Sequence, residues 1–136
     1  MKKLLLVAAL LSLSAIASAG QDVLLASAVR ATTTSTDDLV RTTERQVTVA
    51  LIVTAVPGGD TLTATLQGKT YSGTYYTIVA GAASANTGTV LLKAGPGIAS
   101  VTNVAIGDMI PDVYRVTITH SGAGNFTYSL ERNTSQ

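Results

Sequence analysis

The sequence predicts an all-β fold, either an antiparallel β-sandwich or a jelly-roll-like barrel of about seven or eight short strands, and three observations lead to this prediction. Apolar side chains alternate with Thr and other small residues along Gln46–Thr54 and Thr61–Gln67, a period of two that is typical of strands with one buried face. Turn-forming Gly, Pro, Asn and Asp residues recur between the short apolar segments. No segment after residue 20 has the 3.6-residue period of an amphipathic helix.

The turn signals divide the chain into a series of strands. Pro57–Asp60 is a turn because Pro fixes φ and the two glycines after it tolerate positive φ, so we expect residues 46–81 to form a three-stranded meander. Ser121–Asn125 separates the last two strands, which we expect to pair as a hairpin. The predicted strands are Val23–Val29, Gln46–Thr54, Thr61–Gln67, Tyr75–Ala80, Thr89–Lys93, Val113–His120 and Phe126–Glu131, followed by a polar tail from Arg132.

The alternation also predicts which side chains form the hydrophobic core. On each strand, the large apolar residues share one face, and burial of that face is the main stabilising contribution in a small β domain. The predicted core residues are Val49, Leu51, Val53, Leu62, Leu66, Val116, Ile118 and Tyr128.

Residues 1–19 resemble a secretory signal peptide. Lys2 and Lys3 form a basic start, Leu4–Ile16 is a continuous apolar run, and small residues precede Gly20 in the pattern of a cleavage site. The apolar run is short for a membrane-spanning helix. The alternative is an apolar N-terminal arm that stays on the protein.

The remaining chain divides into two regions. Residues 20–45 are predicted to hold an N-terminal strand followed by an extended polar arm, because residues 30–45 are rich in Thr and contain few large apolar side chains. Residues 46–136 are predicted to form the β-sandwich domain. The arm is long for a simple connection, so we expect it to lie across a neighbouring subunit or another protein surface.

Composition and charge exclude several classes of function. Removal of the first 19 residues takes away Lys2 and Lys3 and leaves seven basic and eight acidic residues, so we expect no nucleic-acid partner and, after leader removal, no membrane partner. The chain has no Cys, which excludes disulfides and thiolate chemistry. Only 12% of the residues are charged, and this favours a protein that packs against copies of itself as a homo-oligomer.

The residues that could carry chemistry are few and poorly spaced. His120 is the only histidine, and the adjacent Ser121 would point to the opposite face of a strand, which is the wrong geometry for a nucleophile and its base. We expect His120 to cap the hairpin. The acidic residues, including the Asp37–Asp38 pair, match no calcium or hydrolase pattern and are expected at turns and caps. We therefore expect a protein that is not an enzyme, with no catalytic residue, no metal site and no cofactor.

Five residues are candidates for an interface. Arg41 and Arg45 lie in the polar arm, where they could form salt contacts with a partner. Tyr71, Tyr75 and Tyr76 form an aromatic cluster, and the alternation places Tyr75 and Tyr76 on opposite faces of one strand. Aromatic and Arg side chains are the ones most enriched at protein interfaces.

Four segments resemble a family of small β-rich proteins of tailed phages. The segments are LLASAVRATTTST at Leu24–Thr36, VTAVPGGDTLTATLQGK at Val53–Lys69, YYTIVAGAA at Tyr75–Ala83 and YRVTITHSGAGNFTYSL at Tyr114–Leu130. The resemblance covers nearly all of residues 23–130. It implies a virion component, either a capsid decoration or another head-associated protein, and it implies no catalytic residues. The leader is a departure from the family, whose members start close to the first of these segments.

Two functions from different classes follow from these observations. The first is a non-enzymatic phage structural protein, located in the virion, whose partners are the capsid or copies of itself. The alternative is an exported bacterial binding module of the adhesin type, secreted or periplasmic, which follows if the leader is cleaved.

Overall fold

The computed structural model describes residues 20–136, which contain ten β-strands and no helix. Seven of these strands are six or more residues long, and they correspond to the seven strands predicted from the sequence. The other three have two residues each, too few for any alternation to be seen. The strands are β1 (Gly20–Arg30), β2 (Thr34–Ser35), β3 (Leu39–Val40), β4 (Gln46–Ala55), β5 (Leu62–Lys69), β6 (Tyr75–Ala80), β7 (Gly88–Ala94), β8 (Ala105–Ile106), β9 (Val113–His120) and β10 (Phe126–Ser135).

The strands form two sheets that pack face to face. The first sheet has the order β1-β10-β4-β7-β8, and the second has the order β2-β9-β5-β6, with β3 also paired to β9. All neighbouring strands are antiparallel except β7 and β8, which are parallel. The predicted all-β, antiparallel sandwich class is therefore confirmed, and the sheets do not close into a barrel.

The hydrophobic core lies between the two sheets. Alternate residues of β4 and β10 face alternate residues of β5 and β9, and their side chains are almost completely buried. All eight predicted core residues are buried, which confirms the faces assigned from the alternation. The largest fully buried side chains are Tyr114, Tyr128, Phe126, Leu51, Leu62 and Leu66.

The predicted hairpin between the last two strands is wrong. β9 belongs to the second sheet and β10 to the first, so Ser121–Asn125 carries the chain from one sheet to the other. The predicted meander is also only partly right: β5 and β6 pair as a hairpin, but Pro57–Asp60 is a second crossing between the sheets. The two crossings touch, because the backbone N–H of Gly124 donates a hydrogen bond of 2.9 Å to the Asp60 carboxylate.

The polar segment 30–45 does not extend away from the sandwich. It contributes β2 and β3, which pair with successive parts of β9 and cover its open edge. Thr36, between the two strands, is buried: its backbone N–H donates to Val116 O at 2.9 Å, and its hydroxyl accepts from Val116 N at 3.1 Å. The backbone groups of this segment therefore find partners in their own subunit.

The two ends of the chain differ in what the structure describes. β10 continues to Ser135, so most of the expected polar tail is strand, paired on both sides with β1 and β4. The predicted signal peptide, residues 1–19, lies outside the described residues. Within residues 20–136, no helix is long and apolar enough to cross a membrane.

Candidate docking surface at one end of the sandwich

One end of the sandwich carries a wide groove, which we call the end groove. It lies where β5 ends and β6 and β9 begin, and it has a volume of about 890 Å³. Its walls come from the β5–β6 turn, from the segment before β9 and from the residues around β3. Its lining includes Val40, Arg41, Lys69, Tyr71, Tyr76 and Met109.

Large apolar side chains are exposed in and around this groove. Tyr71 is completely exposed, Met109 is 72% exposed, Val40 63% and Tyr76 46%. The backbone of the β5–β6 turn is nevertheless held by hydrogen bonds, from Thr70 N to Thr74 O at 2.8 Å and from Gly73 N to Thr70 O at 2.9 Å. An ordered turn therefore presents the Tyr71 ring to solvent.

Gly68 explains how Tyr76 reaches the groove. A Cβ atom at Gly68 would lie 2.5 Å from Cζ of Tyr76 and 2.8 Å from Cγ of Pro111, so only glycine leaves room for both rings. Gly68 is on the core face of β5 and pairs with Tyr76 on β6. The Tyr76 ring thus covers the end of the core on one side and faces the groove on the other.

Two ion pairs form the polar rim. Nη2 of Arg41 lies 2.7 Å from Oδ1 of Asp112, and the backbone N–H of Arg41 also donates to Asp112 O at 2.8 Å. Nζ of Lys69 lies 2.5 Å from Oδ2 of Asp38. The hydrogen bond from Lys69, and then that from Tyr75, lower the pKa of Asp38, and the bond to Asp38 raises the pKa of Lys69, so both groups are charged near neutral pH.

Tyr75 supports this rim from the outer face of the second sheet. Its hydroxyl donates to Oδ1 of Asp38 at 2.5 Å, and the guanidinium of Arg115 stacks on its ring, 3.5 Å from the ring centre. Arg115 in turn donates from Nε to Oε1 of Gln67 at 2.9 Å. Tyr75 is therefore half-buried and held in place, which makes it a support for Asp38 rather than a free aromatic anchor.

The structure brings most of the candidate interface residues together. Arg41, Tyr71 and Tyr76 line the end groove, and exposed Arg45 lines a smaller adjoining depression together with Arg41 and Met109. Tyr75 lies just outside, on the outer face. Tyr75 and Tyr76 do occupy opposite faces of β6, as the alternation predicts.

Five residues of this surface were not predicted from the sequence: Val40, Met109, Asp112, Asp38 and Lys69. Asp38 and Lys69 are 31 positions apart in the chain, and Arg41 and Asp112 are 71 apart, so no local pattern connects them. In the sequence, the one feature that pointed to this surface was a Met directly after the Gly107–Asp108 break, and it is a weak indication.

His120 lies at the opposite end, and its surroundings are structural. Its Nε2 is 3.2 Å from the Tyr128 hydroxyl, and its ring packs edge-on against Phe126. The neighbouring Ser121 hydroxyl accepts a hydrogen bond from Thr61 N at 2.8 Å, and the hydroxyl that His120 Nε2 contacts is that of Tyr128. Across residues 20–136, no three His, Asp or Glu side chains come together in a way that could hold a metal ion.

Comparison of the chain with models of protein families, with curated proteins and with solved structures finds no match.

Proposed function

We propose that this protein is a non-enzymatic structural component of a phage virion, a capsid decoration or head-associated protein that docks through the end groove. The observation that carries the proposal is that four exposed large apolar side chains, Tyr71, Tyr76, Met109 and Val40, line one groove at one end of the sandwich. Contiguous exposed apolar surface rimmed by polar groups is typical of protein interaction sites.

The chemistry of the groove favours a protein surface as the partner. Tyr, Met and Arg are enriched at interfaces, and here Tyr71 and Met109 are presented beside Arg41. The Arg41–Asp112 and Lys69–Asp38 pairs already neutralise each other, so the rim offers hydrogen bonds without a strong net field. Such a surface suits a well-packed contact with low charge.

The assignment to a virion rests on the resemblance of four segments to small tailed-phage proteins. Two of those segments, 53–69 and 75–83, contain β5, all of β6 and Gly68, which leaves room for the Tyr76 ring. The resemblance and the groove therefore involve the same part of the sandwich. The proposed role requires no chemistry, in keeping with the structural surroundings of His120.

The alternative is an exported binding module, and the signal-peptide pattern of residues 1–19 favours it. In that case the same groove would take a surface ligand of the host or its surroundings. The two functions differ in where the native product is found and at which residue it starts.

Mass spectrometry of purified phage particles and of the periplasmic and culture fractions tests the proposal. We expect peptides from residues 20–136 in density-purified particles, in constant proportion to the major capsid protein. A product that begins at Gly20, occurs in the periplasm or medium and is absent from particles would overturn the virion role and support the exported module.

Variants of the groove test the docking surface itself. Tyr71→Ser and Met109→Ser remove exposed side chains, so both proteins should keep the wild-type melting temperature yet bind particles lacking the native protein at least tenfold more weakly, a loss of about 1.4 kcal/mol. Leu91→Ser is the matched control, because Leu91 is 41% exposed on β7, away from the groove. Equal loss of binding in the control would mean that the groove is not the docking surface.

A further inference from the structure

β1 is a long strand with one open edge. It has 11 residues and pairs only with β10, so its other side has no partner among the described strands. The remaining sheet edges are much shorter: β2, β3 and β8 have two residues each, and β6 has six. An open edge presents backbone N–H and C=O groups that can pair with another strand.

Two of the usual protections against such pairing are missing from the middle of β1. No charged residue and no Pro lies between Val23 and Val29, and both of these side chains are 65% exposed. Natural edge strands are commonly protected by Lys, Pro or bulges. β1 does contain two register shifts against β10, between Val23 and Leu25 and between Leu25 and Ala28, and the Arg30 guanidinium binds the carbonyls of Ala26 and Ala28.

The residues on either side of these shifts are arranged symmetrically. Val23 pairs with Glu131 and Val29 with Thr127, both on the outer face of the first sheet, whereas Asp22 and Arg30 pair with inward-facing Arg132 and Phe126. The positions of Val23 and Val29 are equally spaced about Ala26, and so are those of Asp22 and Arg30. The two exposed valines therefore exchange places when the strand is turned end to end.

We propose that β1 pairs antiparallel with β1 of a second copy of this chain, about a twofold axis at Ala26. In this register Val23 of each copy lies opposite Val29 of the other. Asp22 is paired with Arg132 of its own chain, and Arg30 binds carbonyls of β1 and β10, so the two valine pairs are the side-chain contacts that the register supplies. Apolar pairs directly across an antiparallel ladder stabilise the pairing of the strands. The interface is isologous, as in most homodimers, and it joins two five-stranded sheets into one continuous sheet.

The pairing goes beyond the proposed virion role and uses none of the residues of the end groove. Dimerisation and particle binding can therefore fail separately. A dimer would carry two end grooves, which would raise its avidity for a repetitive surface if both grooves can reach it.

Cysteine cross-linking of the full chain tests the register, because the protein has no Cys of its own. Ala26→Cys, at the axis, should form a disulfide-linked dimer under mild oxidation. Val23→Cys alone and Val29→Cys alone should not, because their pairing partners Glu131 and Thr127 are four positions apart on β10 and like residues therefore lie about 14 Å apart along the ladder, whereas an equimolar mixture of the two variants should cross-link. Efficient self-linking of Val23→Cys, or no cross-linking by Ala26→Cys or by the mixture, overturns the proposed register.

Analytical ultracentrifugation of the full chain across a concentration series tests the dimer itself. The wild type should sediment as a dimer, and Val29→Lys should sediment as a monomer, because it places a charge on the edge at both ends of the interface. Val101→Lys is the matched control, since Val101 is 52% exposed and lies outside β1, and it should remain dimeric. A monomeric wild type, or a dimer that survives Val29→Lys, overturns the proposal.

Discussion

His120 and Tyr128 lie in different sheets, and their side chains meet: Nε2 of His120 is 3.2 Å from the Tyr128 hydroxyl. The His120 ring also packs edge-on against Phe126, with the ring centres 5.0 Å apart. At the other end of the same two strands, Nη1 of Arg132 donates to the Tyr114 hydroxyl at 2.9 Å. The ring of each tyrosine is thus buried in the core, and its hydroxyl forms a hydrogen bond with a side chain of the opposite sheet. Polar contacts therefore join the two sheets at both ends.

The first prediction concerns the loss of the His120 contact. Because this imidazole packs between the sheets, His120→Asn should lower the free energy of unfolding by about 1–2 kcal/mol, through the lost aromatic packing and the lost hydrogen bond to the Tyr128 hydroxyl. Urea denaturation followed by circular dichroism measures the change. Thr119→Ala, at an exposed neighbouring position, is the control and should change stability little. A fully stable His120→Asn protein would show that the contact contributes nothing.

The second prediction is the pH dependence that His120 confers. Burial of the ring, and then the charge of Arg30, lower the pKa of His120 below its ordinary value of 6.5, whereas Asp60 acts in the opposite direction. The unfolded chain therefore binds more protons than the folded chain as the pH falls through 6.5, and stability decreases in that range. Urea midpoints measured from pH 8 to pH 5 should fall in the wild type and fall less in His120→Asn. Parallel curves for the two proteins would contradict the prediction.

The local pattern predicted the faces of the strands but could not assign the strands to sheets. Alternation places Val116 and Tyr128 inward whether β9 and β10 pair side by side or face each other across the core. A five-residue, Gly-rich segment between two strands is equally compatible with a hairpin and with a crossing. The choice depends on contacts between distant residues, such as those of Asp60 with Gly124, which no local pattern reveals.

The candidate docking surface, like the fold, could be predicted only in part from the sequence. Tyr71 and Tyr76 stand out by residue type, and Arg41 by its place in a polar segment. Met109 joins them only because the segment before β9 folds over the end of β5, where Pro111 packs on Gly68. Residue type therefore suggested part of the surface, and the three-dimensional fold was needed to complete it.

The third prediction tests the core. Leu51 is fully buried on the inner face of β4, so Leu51→Ala should cost about 2–5 kcal/mol of unfolding free energy. Ile52, its half-buried neighbour on the outer face, is the matched control, and Ile52→Ala should cost clearly less. Chemical denaturation of the two variants gives the comparison, and equal losses would mean that the two faces are not distinguished by burial.

The fourth prediction concerns the segment that covers the edge of β9. Deletion of Thr32–Asp38 removes β2 and the Thr36 bonds to Val116, so the edge of a central core strand loses its partner. We expect a markedly destabilised, aggregation-prone protein, and not the intact domain that a free arm would leave behind. Thermal melting and light scattering measure both effects. A deletion protein that melts like the wild type would show that the segment is only a linker.

The last prediction tests the contact between the two crossings. A Cβ atom at Gly124 would lie 2.3 Å from Cγ of Pro57 and 2.4 Å from Oδ2 of Asp60, the carboxylate oxygen that accepts the Gly124 N–H. Gly124→Ala should therefore push the two loops apart and cost about 1–3 kcal/mol, as overpacked sites do.

Gly58→Ala is the matched control for that substitution. Gly58 lies in the same pair of loops, but a Cβ atom there meets nothing within 4 Å, so this variant should keep wild-type stability or gain slightly from a less flexible unfolded chain. Differential scanning calorimetry of the two variants distinguishes the outcomes. Equal melting temperatures would mean that the loops separate without cost, and the close approach of Gly124 to Asp60 would then have no part in holding the sheets together.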